Sequence, residues 1–260
     1  MRDDATIYLM YHELELAGRP LCRSEQGYAR YAVHESSFRE QMQWLQSSGI
    51  RGVSVTEALN KASTASIAIT FDDGCETDLT VAAPILRDAK FGATFYITLG
   101  FLGRPGYMVE RQVRELSDAG FEIGCHSITH PYLPELAEPE LHREIVEAKH
   151  RLEAIIGRPV LHFSCPGGGW SARAAQIAKQ AGYESVTTSR VRVNRRNSDR
   201  FELARIPVMR DLPLTAFQDL CRGRGLWQRQ IRTVLQSTAH HLLGNQLYDR
   251  LRGLILERRA

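Results

Sequence analysis

Short apolar runs alternate along this chain with longer stretches in which apolar residues recur three and four positions apart. The short runs, residues 7–11, 53–55, 67–71, 93–97, 121–124, 162–163 and 185–188, predict strands, and the run 67–71, closed by the turn at Gly74, fits one buried on both faces. The longer stretches predict helices. One carries Phe38, Met42 and Leu45 on one side, with Ser37 and Glu40 as a capping box at its start and Gly49 at its end. Others follow at 79–89, where Pro84 predicts a kink, at 109–119 and at 171–181. The longest, 138–156, places Leu141, Ile145, Ala148, Leu152 and Ile155 on one face and stops at Gly157 and Pro159. Residues 14–34 read as an irregular loop. Seven or eight β/α alternations predict a parallel sheet, closed as a barrel or doubly wound.

Polar groups gather where the strands end. The run Ile67-Ala68-Ile69-Thr70-Phe71 finishes in Asp72-Asp73-Gly74. Two adjacent carboxylates at the end of an apolar element repel one another and are poorly solvated, so a cation or a shared proton is needed to hold them. The plainer alternative is that they cap the next helix. The first strand ends in His12-Glu13, and another ends in Gly124-Cys125-His126-Ser127-Ile128-Thr129-His130-Pro131. Pro131 turns His130 away from helical geometry and predicts a tight loop. Two imidazoles with one aspartate leave open coordination positions on Zn²⁺ or a similar ion.

Composition narrows the class. With 260 residues, 43% of them hydrophobic, the chain can bury a full core, and a net charge of +3 gives no argument for nucleic acid. Cys22, Cys75, Cys125, Cys165 and Cys221 are odd in number and include no CxxC pair, which suits a reducing compartment. The first six residues carry two acids and lead straight into a strand, with no apolar leader. The expected location is therefore the cytoplasm, or the inner membrane face if the basic C-terminal segment contacts lipid.

Thr70-Phe71-Asp72-Asp73-Gly74 followed by His126-Ser127-Ile128-Thr129-His130 resembles the polysaccharide deacetylase family, the NodB-homology carbohydrate esterases. The resemblance runs from about residue 7 to about residue 208. It implies a distorted (β/α)7 barrel over residues 1–212, with a basic amphipathic helical extension over 213–260. It further implies that Asp72 is the catalytic base and that Asp73, His126 and His130 bind one divalent ion, foremost Zn²⁺, with Co²⁺, Ni²⁺ or Mn²⁺ as substitutes. The implied reaction is hydrolysis of an N-acetyl group on an amino sugar, in a glycan, glycolipid or glycoside precursor. Hydrolysis of a non-sugar amide or an O-acetyl ester, and a non-catalytic glycan-binding barrel, are the competing readings.

Two departures from the commonest family pattern matter. The loop Phe163-Ser164-Cys165-Pro166-Gly167-Gly168-Gly169-Trp170 lacks the arginine that would orient the base. With the Tyr11-His12 pair on the first strand, it is more similar to branches acting in exopolysaccharide synthesis. That likeness makes Tyr11, Pro166, Gly167, Gly168 and Trp170 candidate substrate contacts, with a main-chain N–H near Gly167 facing the oxyanion. The family's late acid histidine has no counterpart, since His240 and His241 fall in a predicted amphipathic helix beyond the barrel. His12 is the candidate acid or substrate contact in its place. In the extension, Trp227 and Leu235 are expected on an apolar stripe flanked by arginines at 222, 224, 229, 232, 250, 252, 258 and 259, a pattern that packs on a core or lies on anionic lipid.

Overall fold

The structure is a computed structural model that describes residues 5–60 and 66–226. Its parallel strands are β1 (Ala5–Tyr11), β2 (Arg51–Val53), β3 (Ser66–Asp73), β4 (Thr94–Ile97), β5 (Glu122–Cys125), β6 (His162–Ser164), β7 (Ser185–Thr187) and β8 (Ile206–Pro207). β3 is central: β1 lies along one edge, while β2 and β4 follow one another along the other, pairing with its first and last halves. From β4 the sheet continues through β5 and β6 to β7. The residues leading into β8 bring the sheet round, because Leu203 bridges to Thr187 while Ile206 pairs with Leu9 of β1. The result is the distorted β/α barrel that the family resemblance implies, one of the two closures that the alternation left open.

Strand periodicity decides which side chains reach the barrel interior. Ile7, Leu9 and Tyr11, with Ile67, Ile69, Phe71, Phe95 and Ile97, join the large core between sheet and helices. Tyr8, Ala68 and Tyr96 form a smaller core inside the barrel with Val55 and Leu203. Tyr11 is therefore not a substrate contact. It is fully buried with its ring 5.1 Å from Phe38 and 5.2 Å from Phe71, and its hydroxyl donates to Gln41 Oε1 at 2.7 Å. Its neighbour His12, one residue on, faces the other way.

The longer helices are α1 (Glu35–Ser47), α2 (Ala83–Ala89), α3 (Glu110–Asp118), α4, α5 (Ala172–Gln180) and α6 (Leu214–Cys221), and a short one, Val55–Asn60, precedes β3. α4 is built from Glu138–His142, a π-helical turn Arg143–Glu147, and Ala148–Ile156. Three local expectations are corrected. α1 starts two residues before Ser37, with no side-chain cap, because Val33–His34 pairs with Leu14–Glu15 and delivers an extended chain directly to Glu35. Pro84 does not kink a helix: the π turn Asp78–Ala82 precedes it, and the proline sits in the first turn of α2, where an absent N–H costs nothing. The loop of residues 14–34 likewise holds that short strand pair and a helical turn, Gln26–Ala29.

Of the expected extension, α6 packs on the barrel through buried Phe217, Leu220 and Cys221, with Phe217 edge-on to Trp44 at 5.9 Å. Trp227, Leu235, His240, His241 and the arginines from 229 onward lie outside the described residues. Among the described residues, no helix is long and apolar enough to cross a membrane.

Candidate active site

A regular strand would send Asp72 and Asp73 to opposite faces. Asp73 instead takes a left-handed φ of 82°, which breaks the alternation and turns both carboxylates into the barrel mouth at the C-terminal ends of the strands. Ser127 and His130 also have positive φ, 68° and 61°, so three of the four non-glycine residues with this conformation among those described lie at one site. Such backbone persists only where the surroundings hold it. Buried Glu144, on the π turn of α4, accepts from the Ile128 and Thr129 backbone N–H groups, both at 2.8 Å, and from the Thr129 hydroxyl at 2.9 Å. Ser127 Oγ accepts from the His130 N–H at 3.0 Å. Gly100 lets this loop approach: its N–H donates to Ile128 O at 2.7 Å, and a Cβ there would stand 2.6 Å from that oxygen.

Asp73, His126 and His130 converge, with their ligand atoms all within 4.8 Å of one another. His126 Nε2 lies 3.7 Å from Asp73 Oδ1, and His130 Nε2 lies 3.5 Å from it. His126 Nδ1 donates to Ser164 O at 2.8 Å, which fixes the tautomer and aims the Nε2 lone pair at the carboxylates. Burial pushes the His126 pKa down to about 3, so the imidazole is neutral at pH 7. Burial also lowers His130 and raises the Asp73 carboxyl, the latter helped by the neighbouring Asp72 charge. Asp73 Oδ1 is buried with no hydrogen-bond partner, an orphaned acceptor that a cation would satisfy. The residues present thus fit a divalent ion.

Asp72 is held differently, by a residue that no motif announced. Arg205, fully buried just before β8, meets it bidentately, Nη1 to Oδ1 at 2.6 Å and Nη2 to Oδ2 at 2.7 Å. Its other donor contacts go to Thr70 Oγ1 at 3.2 Å, Ser164 Oγ at 2.8 Å and Thr188 O at 3.1 Å, so all five N–H groups of the guanidinium are used. Burial alone would raise the Asp72 pKa, but the Arg205 charge and its hydrogen bonds outweigh it and hold the carboxyl well below the usual range. The arginine missing from the loop of residues 163–170 is therefore supplied from elsewhere in the chain. Its signal was a lone arginine inside the apolar run Leu203-Ala204-Arg205-Ile206-Pro207-Val208, since a charge so placed is almost never buried unpaired.

His12 faces this group. Its ring packs 5.0 Å from Tyr31, its Nδ1 is buried without a partner, and burial lowers its pKa against the opposing pull of Asp73 and Asp72. The Pro166–Gly168 turn follows β6, with Pro166 buried, Gly167 exposed and Gly168 half-buried. Gly168 serves packing, because a Cβ there would stand 2.5 Å from Ser189 Oγ. Trp170 is also tied into the structure: Nε1 donates to Phe201 O at 2.7 Å and the Arg190 guanidinium covers its ring at 5.1 Å.

The fold and site define a β/α barrel with a candidate carboxylate–imidazole cation site at the strand ends. The sequence profile described as polysaccharide deacetylase matches residues 60–186. YxkH of Bacillus subtilis is 25% identical over 215 residues, 80% of this chain and 73% of its own length. The peptidoglycan-N-acetylglucosamine deacetylase of Bacillus cereus is 36% identical over 125 residues, and this chain spans little more than half of it, 56%. The solved Streptococcus pyogenes deacetylase PplD, in complex with acetate, superposes with a TM-score of 0.73 at 21% identity, covering 83% of this chain and 97% of its own. Residues 60–186 thus carry a polysaccharide deacetylase domain of the kind found in the NodB-homology carbohydrate esterases.

Proposed function

We propose that this protein removes the acetyl group from an N-acetylated amino sugar by metal-dependent hydrolysis. The observation that carries the reading is the division of labour between the adjacent aspartates: Asp72 is clamped by Arg205 and kept ionised, while Asp73 offers an unpartnered oxygen beside two neutral imidazoles. Asp73, His126 and His130 would hold the ion; two nitrogens and a carboxylate suit Zn²⁺ best, with Co²⁺, Ni²⁺ or Mn²⁺ as substitutes. A divalent ion there supplies Lewis acidity, which acidifies water and polarises an acyl oxygen. Asp72 takes the proton of the attacking water at the carboxylate that Arg205 orients. The proton that Asp72 takes leaves on the departing amine, and His12, on the same face, would relay it. The clamp also answers the non-catalytic reading, since it replaces the arginine whose absence favoured it.

A peptidoglycan deacetylase and chitooligosaccharide deacetylases among the relatives support a glycan substrate. The basic amphipathic sequence of residues 213–260 supports contact with anionic lipid or a lipid-linked glycan. Acetate release from a panel of N-acetylated sugars and O-acetyl esters, with metal removed and restored, tests the assignment. The expected product is a free amine, formed only with metal present; release from esters alone would overturn it. Asp72→Asn should retain the metal and lose nearly all turnover, because an amide does not accept the proton. Metal lost along with activity would place Asp72 among the ligands.

A further inference from the structure

Behind the strand ends lies a second group of side chains that this reaction leaves unused. Glu13, Cys22 and Cys75 bring a carboxylate oxygen and two sulfurs within 4.8 Å of one another. Glu13 and Cys75 are fully buried and Cys22 is half-buried, on the loop that leads from β1 to α1. The Glu13 carboxylate accepts from the Arg19 guanidinium, from the Cys22 N–H at 2.9 Å and from the Tyr28 hydroxyl at 3.0 Å. That hydroxyl also lies 3.4 Å from Cys75 Sγ, and Cys22 Sγ lies 3.0 Å from Gly106 O. Near this group Asp78 is fully buried, with neither carboxylate oxygen hydrogen-bonded.

The spacing and the charge both bear on what the group holds. The two sulfurs are 3.6 Å apart. A disulfide requires about 2.0 Å, whereas two sulfurs each bound about 2.3 Å from one tetrahedral ion stand roughly 3.8 Å apart. Two thiolates and a carboxylate would carry three negative charges. A divalent ion together with the adjacent Arg19 guanidinium cancels them, which removes the desolvation penalty of a buried net charge. Thiolate ligands select zinc and similar thiophilic ions over magnesium or calcium, and the Asp73–His126–His130 set contains no sulfur.

We propose that Glu13, Cys22 and Cys75 form a second, structural cation site for zinc or another thiophilic divalent ion, with the Tyr28 hydroxyl or water at the fourth position. The position in the chain gives the site its consequence. Glu13 directly follows His12, and Cys75 follows Asp72-Asp73-Gly74, so one ion would pin the backbone beside the candidate acid, the base and a metal ligand at once. Cys22 would tie in the loop that carries Arg23. The Arg23 guanidinium lies 4.7 Å over Phe101, whose ring stacks 5.7 Å from His130, so this loop forms one wall of the mouth.

The full chain, purified reduced and without chelator, should carry two equivalents of zinc by elemental mass spectrometry. After exchange with cobalt(II) chloride, a near-ultraviolet thiolate-to-cobalt charge-transfer band should appear in the unaltered protein, a readout that depends on neither activity nor the folding of a variant. Cys22→Ser should lose that band and one equivalent of metal. His130→Ala should lose the other equivalent and keep the band, which separates failure of this site from failure of the catalytic one. Absence of the band from cobalt-loaded wild-type protein, or a Cys22–Cys75 disulfide in non-reducing peptide maps of freshly purified protein, would overturn the proposal.

Discussion

Arg205 shows how one buried side chain sets the state of another. Arg205→Ala would leave the Asp72 carboxylate buried without a counter-charge, at a cost of roughly 3–5 kcal/mol of stability. Arg205→Lys keeps the charge and loses the fork, so it separates orientation from stability. We expect it to retain metal while turnover falls by about a hundredfold, the scale of a small misplacement of a reacting group. Because Arg205 holds the Asp72 pKa down, weakening that contact moves the acidic limb of the pH–rate profile upward; an unmoved limb would show that the clamp does not tune the base. The proposed metal ligands should respond to pH through a different residue, Asp73. Burial raises Asp73 above its ordinary 3.8 and lowers His126 to about 3, so on acidification the carboxylate is protonated while His126 stays neutral. Metal affinity should therefore fall on acidification as Asp73 is protonated, with His126 still available as a ligand. Competition titrations from pH 7 downward check this, and an affinity that holds until His126 itself is protonated would assign the loss to the imidazole.

At the scale of an element, α4 has more to do than cover the sheet. Its apolar stripe, read correctly from the sequence, predicts a plain helix, whereas the fold inserts the π turn Arg143–Glu147, a feature common at functional sites. Glu144 on that turn is buried and bonds the backbone of the loop between the two histidines, which balances the left-handed conformations of Ser127 and His130. Glu144→Gln presents an amide donor where the loop also donates. It should cost roughly 2 kcal/mol of stability, the scale of a charged hydrogen bond lost in a buried site. Metal release should also quicken as His130 loosens. Denaturant midpoints and chelator-driven release rates measure both, and unchanged release would confine Glu144 to a packing role.

For the whole molecule, the C-terminal segment is where sequence and described structure part: α6 packs on α1, and the arginine-rich residues that follow are known by sequence alone. Flotation with anionic vesicles should be strong for the full chain at low salt, weaker at high salt, and absent for a version ending near residue 226, because screened charges attract less. Equal flotation of both versions would remove the lipid role. The sequence by itself determined the β/α order, the strand that delivers Asp72 and Asp73, and the His126–His130 loop, since each is written in local periodicity and short-range spacing. It also excluded Tyr11 from the mouth in principle, because period-two alternation puts Tyr11 and His12 on opposite faces; the family likeness pointed the other way. Only the tertiary structure decided what holds Asp72. Arg205 is 133 residues away along the chain, and β8 reaches β3 only through the closure of the sheet around β1. The same holds for Glu144 beneath Ile128 and for Cys22 beside Cys75: these pairs are made by the approach of separate elements, and no periodicity records which distant side chain fills a buried polar gap.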